Sequence, residues 1–341
     1  MKLKKLVTIL LVLTMLFGIS SLSVSAGFIN LSEENNKFVK DISPEIDGYA
    51  IDYRYFSPVK ENDTTKYPLV IWLHGICNGW KDGMQINSSD VGIWVKDEYQ
   101  SRFKDSGGAF IFVPRSPEEK NLCWANSLIR PLRGAIDNFI AKNKDNIDVS
   151  RIYIGGYSMG GRMTLKMAAA YPEMFAAAFP VCPKWVPGDE AAEHLSNMPI
   201  WLTSSKRDPI VNYYSEVMPT WETLIAHSNI PEFCRFSTLQ KSVYPDGSRA
   251  PTAHNSWYSV NYDMFSDTNG DYPTMSTING KGEVVTLTYP DGIISWLSDF
   301  TSDYDGSPAT DKGNTAAHKV SVNVNFFKAI YNFFKNLFRF I

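Results

Sequence analysis

Residues 151–161 read RIYIGGYSMGG, and this stretch decides the fold of the chain. The apolar run at 152–154 is typical of a buried strand, and residues 163–170 are typical of a helix. Ser158 lies between them, at the centre of a G-x-S-x-G pentapeptide at 156–160. A serine at such a turn needs a strained backbone and small neighbours, which the flanking glycines provide. The pattern predicts a nucleophilic serine; an ordinary glycine-rich turn is the alternative.

The N-terminus has the features of a secretory signal peptide. Three lysines precede an apolar run, and residues 24–26 (VSA) form a small-residue cleavage site, so residues 1–26 are the predicted signal peptide. An uncleaved membrane anchor is the alternative. Cleavage removes three of the 33 basic residues and leaves 30 against 36 acidic residues, a formal charge of −6. We therefore expect a secreted or extracellular protein with no nucleic-acid partner.

Strand and helix patterns alternate along the rest of the chain. Nearly continuous apolar runs indicate strands covered on both faces, and apolar residues at helical spacing indicate helices between them. Strands are expected at 49–55, 68–73, 109–113, 152–154, 176–181, 199–203 and 233–244, and helices at 131–142, 163–170, 213–227 and 293–300. This alternation predicts an α/β fold with a mostly parallel central sheet and helices on both faces. Active-site loops are then expected at the carboxyl ends of the strands.

The C-terminal part of the chain differs in composition from the rest. We assign 27–301 to a catalytic domain, 302–319 to a flexible linker and 320–341 to a cationic amphipathic helix. Within that helix, residues 325–341 lack acidic side chains and have an aromatic face. The segment is too short and too polar to span a membrane. It is expected to contact a membrane or cell-envelope surface, or to dock on the domain or on another copy.

A serine hydroxyl becomes a nucleophile when an imidazole takes its proton and an acid orients that imidazole. His254 follows the last long strand and is the candidate base. Asp208 follows the strand before it and is the candidate acid. An oxyanion hole requires two N–H donors, for which the backbones of Met159 and Ile76 are the candidates. His74 is interpreted as shaping the oxyanion loop.

Four stretches carry a resemblance to a known family: 67–75 (YPLVIWLHG), 148–161 (DVSRIYIGGYSMGG), 171–178 (YPEMFAAA) and 254–257 (HNSW). They resemble secreted α/β-hydrolases of the feruloyl-esterase, polyhydroxybutyrate-depolymerase and predicted-peptidase group, which is phospholipase/carboxylesterase-like. The similarity spans about residues 48–260. It implies a secreted serine esterase acting on ester-decorated plant cell-wall polysaccharide, such as feruloylated or acetylated xylan. The order Ser158, Asp208, His254 is that of the superfamily.

The chain departs from the family pattern after His254, where residues 258–290 form a long insertion with a hairpin signal at Asn279-Gly280. We interpret this insertion as a candidate cap on the active site. Four tryptophans are expected in loops around the pocket, where they are candidates to stack an aromatic acyl group or a sugar: Trp80, Trp124, Trp185 and Trp257. Filling the core is the alternative for each of them.

The four cysteines are compatible with two disulfides, and Cys77 with Cys123 is the better candidate pair. None of the cysteines has metal-site spacing. Residues 267–271 resemble a calcium loop, but the glycine is misplaced and the twelfth position is Ile278. We expect no metal and no organic cofactor. Two alternatives to the esterase stay open: a prolyl-oligopeptidase-like serine peptidase and a non-catalytic, surface-attached binding protein.

Overall fold

The computed structural model describes residues 30–76, 81–117, 123–240, 242, 244, 248, 250–264, 275–287, 292–307 and 320–322. Several sequence predictions lie outside these residues: the signal peptide, Cys77, Trp80, the stretch 267–271 and residues 323–341. Among the described residues, no helix has both the length and the apolar composition needed to cross a bilayer.

Nine strands of the described chain pair into one sheet, and two more form a separate small sheet. The strands of the large sheet are β1 (Val39–Ile42), β2 (Asp52–Phe56), β3 (Tyr67–Leu73), β4 (Phe110–Pro114), β5 (Ile147–Tyr157), β6 (Ala177–Val181), β7 (Trp201–Ser205), β8 (Arg235–Leu239) and β9 (Met275–Asn279). Their spatial order is β1-β2-β4-β3-β5-β6-β7-β8-β9. The small sheet pairs β10 (Phe300–Ser302) with β11 (Val320–Val322).

The centre of the large sheet is parallel and its edges are antiparallel. Neighbouring strands from β4 through β3, β5, β6 and β7 to β8 are parallel. Strand β2 is antiparallel to β4, β1 is antiparallel to β2, and β9 is antiparallel to β8. The predicted mostly parallel sheet is therefore confirmed, and the strand that precedes Ser158 lies at its centre.

Helices and helical turns connect the strands. The α-helices are α1 (Ser32–Asn36), α2 (Met84–Asn87), α3 (Asp97–Gln100), α4 (Ile129–Lys142), α5 (Met159–Ala170), α6 (Asp189–His194), α7 (Met218–His227), α8 (Trp257–Asn261) and α9 (Ile293–Leu297). Short 3-10 turns occur at Val91–Val95, Asn126–Leu128 and Pro231–Phe233, and a π-helical turn at Tyr213–Val217 leads into α7.

Both faces of the sheet are buried, as continuous apolar strands require. Successive side chains of a strand point to opposite faces, so the residues of β3 divide between two cores. Leu69 and Ile71 pack in a cluster that also contains residues of α4 and α5. Val70 and Trp72 pack in a second cluster with Trp94 and with residues of α8 and α9.

The described parts of the 258–290 insertion pack on the domain and add a strand to its sheet, and a role of the insertion as a cap stays a prediction. Residues of α8 are buried in the second cluster, and β9 adds an edge strand next to β8. Asn279 pairs with Arg235 at the start of β8, so the predicted hairpin lies at the amino ends of the parallel strands. Ser158 lies at the opposite, carboxyl ends of these strands.

Two predicted boundaries near the C-terminus are wrong. The linker was predicted to start at residue 302, but Tyr304 is buried and its hydroxyl contacts Arg133 of α4. Residues 320–322 form β11, not the first turn of a helix. Both errors have one cause: polar composition and helical spacing are local signals, and they do not report pairing with residues far along the chain.

Candidate active site

Ser158 occupies the sharp turn between β5 and α5. Its backbone has φ 55° and ψ −116°, a conformation that is strained for a residue with a side chain. The turn is held because the Ser158 N–H donates to the carbonyl of Val181 at 2.9 Å, while the Ser158 carbonyl accepts from Arg162 at 2.9 Å. Met159 is the first residue of α5, so its N–H lies at a helix N-terminus, where donors are available to an anion.

The glycines of this turn are required by close backbone approach. A Cβ on Gly160 would lie 2.1 Å from the carbonyl oxygen of Leu73 and 2.5 Å from that of His74. Helix α5 therefore passes directly against the end of β3. This contact brings the serine next to the loop at 74–76, which was predicted to supply the second oxyanion donor. The roles of the Met159 and Ile76 N–H groups stay predictions.

Asp208 and His254 come together as the sequence predicted, although 46 residues separate them. His254 Nδ1 lies 2.7 Å from Asp208 Oδ2. Asp208 Oδ1 accepts two backbone N–H groups, from Ile210 at 2.8 Å and Val211 at 2.9 Å. Both side chains are buried. Since the carboxylate can only accept, Nδ1 carries a proton, and Nε2 is left for proton transfer.

His254 and Ser158 are not joined by a hydrogen bond in this structure. Contacts between a nucleophile and its base are often long before substrate binds and tighten in the complex. What the structure shows is a strained serine at the end of β5 and an oriented imidazole near the ends of β7 and β8. The carboxyl ends of parallel strands lie on the same side of a sheet, so the serine and the imidazole are expected on that side.

Cys182 is a neighbour of the His–Asp pair that sequence reasoning missed. Its sulfur, an Asp208 carboxylate oxygen and a His254 ring nitrogen lie within 4.8 Å of one another. Cys182 is fully buried, has φ 38°, and approaches the His254 carbonyl at 3.7 Å. A signal existed in the sequence, because Cys182 directly follows β6 and β6 is the neighbour of β5.

Cys182, Asp208 and His254 are residue types that bind metals, but the Asp208 carboxylate is already hydrogen-bonded within the protein. Asp208 accepts three hydrogen bonds, one from His254 and two from the backbone. Burial lowers the pKa of His254, whereas interactions with Cys182 and Asp208 raise it, and the net direction is upward. The arrangement fits an imidazole that is held in one orientation by its neighbours.

His74 holds the loop after β3 in place. Its ring is fully buried, Nδ1 donates to the Gly75 carbonyl at 2.6 Å and Nε2 accepts the Ser116 N–H at 3.0 Å. Burial lowers its pKa to about 4, so the ring is neutral at pH 7. This agrees with the interpretation that His74 shapes the loop and does not itself act as a base.

The four tryptophan predictions have different outcomes. Trp124 is fully buried and its indole N–H donates to the His74 carbonyl at 2.8 Å, so it supports the loop and offers no surface to substrate. Trp257 is also buried; its ring packs 4.1 Å from that of Tyr157 and edge-on to His254 at 5.5 Å. Tertiary neighbours cover both rings, which favours the alternative of filling the core over stacking on a ligand. Trp185 is half-buried and lines an open groove.

The structure describes three of the four cysteines, so only part of the disulfide prediction can be examined. Cys77 lies outside the described residues, so its pairing with Cys123 stays a prediction. Cys182 and Cys234 are both free thiols. They lie in different surroundings, one beside His254 and the other against the carbonyl of Met198.

Comparison with known proteins finds a family model and several esterases to which parts of this chain are similar. Residues 124–246 match the family model described as Phospholipase/Carboxylesterase. Among solved structures, a thermostable esterase superposes with a TM-score of 0.55 at 25% sequence identity, covering 68% of this chain and 62% of that one. The fold is therefore that of the α/β-hydrolases.

The similar curated proteins include several esterases. The chain is 31% identical over 137 residues to feruloyl esterase B of Neurospora crassa, covering 36% of this chain and 41% of that protein. It is 24% identical over 236 residues to a probable acetylxylan esterase A of Aspergillus flavus, with coverages of 64% and 61%. It is 26% identical over 147 residues to a poly(3-hydroxybutyrate) depolymerase of Ralstonia pickettii, with coverages of 38% and 28%. The chain thus spans less than two thirds of the length of each of these relatives.

Proposed function

We propose that this α/β-hydrolase, which carries a phospholipase/carboxylesterase domain, is a serine carboxylic-ester hydrolase. The observation that carries the proposal is the strained Ser158 turn at the same sheet edge as the hydrogen-bonded His254–Asp208 pair. A strained turn costs stability and is kept where the serine must be exposed to a substrate. An imidazole with its Nδ1 held by a carboxylate is the partner such a serine needs.

The reaction follows from these groups. Ser158 Oγ attacks the ester carbonyl while His254 Nε2 takes its proton, and Asp208 keeps the imidazole in the required tautomer. The developing oxyanion accepts hydrogen bonds from the backbone N–H groups of Met159 and Ile76, and each of these bonds lowers the barrier by about 3 kcal/mol. The C–O bond to the alcohol breaks as His254 protonates the leaving oxygen. Water, deprotonated by His254, then attacks the acyl-enzyme and releases the carboxylic acid and Ser158.

The substrate class that we propose is the feruloyl or acetyl esters of plant cell-wall polysaccharide. Feruloyl and acetylxylan esterases are among the similar proteins. Two exposed apolar side chains in loops that follow β3 and β7 support an aromatic acyl group: Ile76 and Ile210, which are 56% and 59% exposed. Such side chains offer apolar surface to an aromatic ring. We further propose that the protein is secreted, with residues 325–341 contacting a membrane or cell-envelope surface.

Replacing the nucleophile tests the reaction. We expect Ser158→Ala to lower kcat by a factor on the order of 10⁴ to 10⁶ on p-nitrophenyl esters, methyl ferulate and acetylated xylan, because the covalent route is lost. The measurement is initial rate over a substrate series for the purified chain and the variant. The ratio of kcat/KM between methyl ferulate and acetylated xylan then ranks the two acyl groups.

The same series separates the alternatives. Peptide anilides should be poor substrates; faster turnover of anilides than of esters would move the protein to the prolyl-oligopeptidase-like peptidases. If neither esters nor anilides are hydrolysed by the unsubstituted chain, the esterase proposal is wrong and a non-catalytic binding protein is the explanation to pursue. Ester turnover that survives in Ser158→Ala would show that a different residue is the nucleophile.

A further inference from the structure

A groove lies between the start of α4, the second half of α5 and helix α6. Its volume is about 350 Å³, near the lower end of the range for small-molecule sites. Trp185 lines it from the loop after β6, and the apolar walls are alanines of α5 and α6 together with Ile129. None of these residues takes part in the reaction described above.

The polar groups of the groove offer both hydrogen-bond donors and acceptors. Lys166 Nζ lies 5.5 Å from the centre of the Trp185 ring and donates to Asn126 Oδ1 at 2.6 Å. His194 Nδ1 donates to the Ala169 carbonyl at 2.9 Å, which leaves Nε2 of the neutral ring as an acceptor. Glu190 adds an exposed carboxylate.

We propose that this groove binds one or two neutral sugar units of the polysaccharide whose ester is cleaved at Ser158. A sugar ring has an apolar C–H face, which an indole covers well, and a rim of hydroxyls that both donate and accept. Lys166 and Asn126 can donate to the hydroxyls, and Glu190 and His194 can accept from them. Lys166 and Glu190 carry opposite charges, so these two groups together do not select an anionic ligand over a neutral one.

The position of the groove suits a chain that passes through the active site. Lys166 is eight residues after Ser158 on α5, which is about 12 Å along the helix axis. Trp185 follows β6, which is the strand next to β5. Asn126 is two residues after Trp124, whose indole N–H donates to the His74 carbonyl. The separation of Lys166 from Ser158 along the helix axis is therefore one that a short oligosaccharide spans.

The inference rests on the proposed polysaccharide esterase, but binding can be measured without turnover. Titration calorimetry with xylotetraose, performed on Ser158→Ala, is the experiment. We expect binding that falls about ten-fold or more in Ser158→Ala/Trp185→Ala, because the stacking face is lost. It should fall about three-fold in Ser158→Ala/Lys166→Met, which keeps the side-chain stem and removes one donor. Lys281→Met, at the turn after β9, is the matched control and should leave binding unchanged.

A further variant tests the groove in case Trp185→Ala does not fold. Ala191→Trp places a large ring in the groove without removing any contact, and we expect it to abolish xylotetraose binding while the circular dichroism spectrum is retained. Aldotetrauronic acid, the acidic counterpart, should bind no more tightly than xylotetraose, because Lys166 and Glu190 act on its carboxylate in opposite directions.

Two results would overturn the inference. One is no xylotetraose binding at millimolar concentration; the other is binding that persists in both Trp185→Ala and Ala191→Trp, since the sugar would then lie elsewhere. Tighter binding of aldotetrauronic acid would contradict the neutral-sugar assignment. Failure of the esterase proposal looks different: the unsubstituted chain would then lack ester turnover whatever the calorimetry gives.

Discussion

At the residue scale, a cysteine that belongs to no recognised motif lies against His254, the proposed general base. Cys182 is buried with positive φ beside His254, and its interaction with the imidazole adds to that of Asp208 in raising the pKa of His254 against the effect of burial. Strained residues persist where the surrounding structure holds them, and they concentrate at functional sites. We therefore propose that Cys182 acts through His254, the group that takes the proton in the proposed reaction.

The pH dependence of turnover tests this role. Only neutral His254 accepts a proton, so kcat/KM should rise with pH through the His254 pKa, which lies above the ordinary value of about 6.5. Cys182→Ala removes one of the interactions that raise this pKa, so the acid limb of the profile should move to lower pH. Cys234→Ala, another buried thiol, is the control and should leave the limb in place. An acid limb that is unmoved in Cys182→Ala would contradict the assignment.

At the element scale, the crossing of α5 against the end of β3 decides whether the site can form. Gly160 lies at that crossing, where the Leu73 and His74 carbonyl oxygens approach too closely for any side chain. The same contact brings the Ser158 turn next to the loop at 74–76. One glycine therefore links packing to the geometry of the proposed site.

Gly160→Ala tests that link. The added Cβ forces backbone atoms apart, and such overpacking costs typically 1–3 kcal/mol and occasionally more, so we expect a loss of unfolding free energy of about 3 kcal/mol. Ester turnover should fall as well, because the 74–76 loop is displaced. Urea unfolding followed by fluorescence gives the first quantity. Gly188→Ala is the matched control: a Cβ there meets no atom within 4 Å, and the expected change is below about 1 kcal/mol. Equal losses in the two variants would refute the argument.

At the scale of the whole molecule, Arg133 joins the C-terminal part of the domain to helix α4. It is 2% exposed and pairs with Asp137 at 2.8 Å and with Glu173 at 3.4 Å. It also donates to the Tyr304 hydroxyl and to the Ser307 carbonyl, each at 3.1 Å. This set of bonds explains why residues that look like linker in the sequence are ordered against the domain.

Replacing Arg133 should therefore cost far more stability than replacing a surface arginine of the same helix. We expect Arg133→Met to lower the free energy of unfolding by about 3 kcal/mol, because the half-buried carboxylates of Asp137 and Glu173 lose their counter-charge and the buried Tyr304 hydroxyl loses a donor. Arg130, whose side chain is 64% exposed and 3.5 Å from Asp47, is the comparison, and Arg130→Met should cost less than about 1 kcal/mol. Chemical denaturation of both variants measures the difference. A small loss in Arg133→Met would mean that residues 304–307 are held by other contacts.

Local patterns in the sequence predict much of this protein. The β5–Ser158–α5 turn, the parallel sheet and the chain positions of Asp208 and His254 all follow from short runs of residues, because strand, helix and tight turn each have a periodicity or composition of their own. The burial of both sheet faces follows in the same way from continuous apolar strands such as β3.

Other features were decided only by the tertiary structure. Whether Trp124 and Trp257 face substrate or core depends on His74 and Tyr157, which lie far from them in the chain. The approach of Cys182 to His254 and the pairing of β9 with β8 are long-range contacts of the same kind. Burial and close contact are properties of pairs of residues, and the identity of one partner does not specify the other. The sequence by itself therefore determined the fold class and the residues of the proposed triad, and tertiary packing decided which aromatic side chains stay open to a ligand.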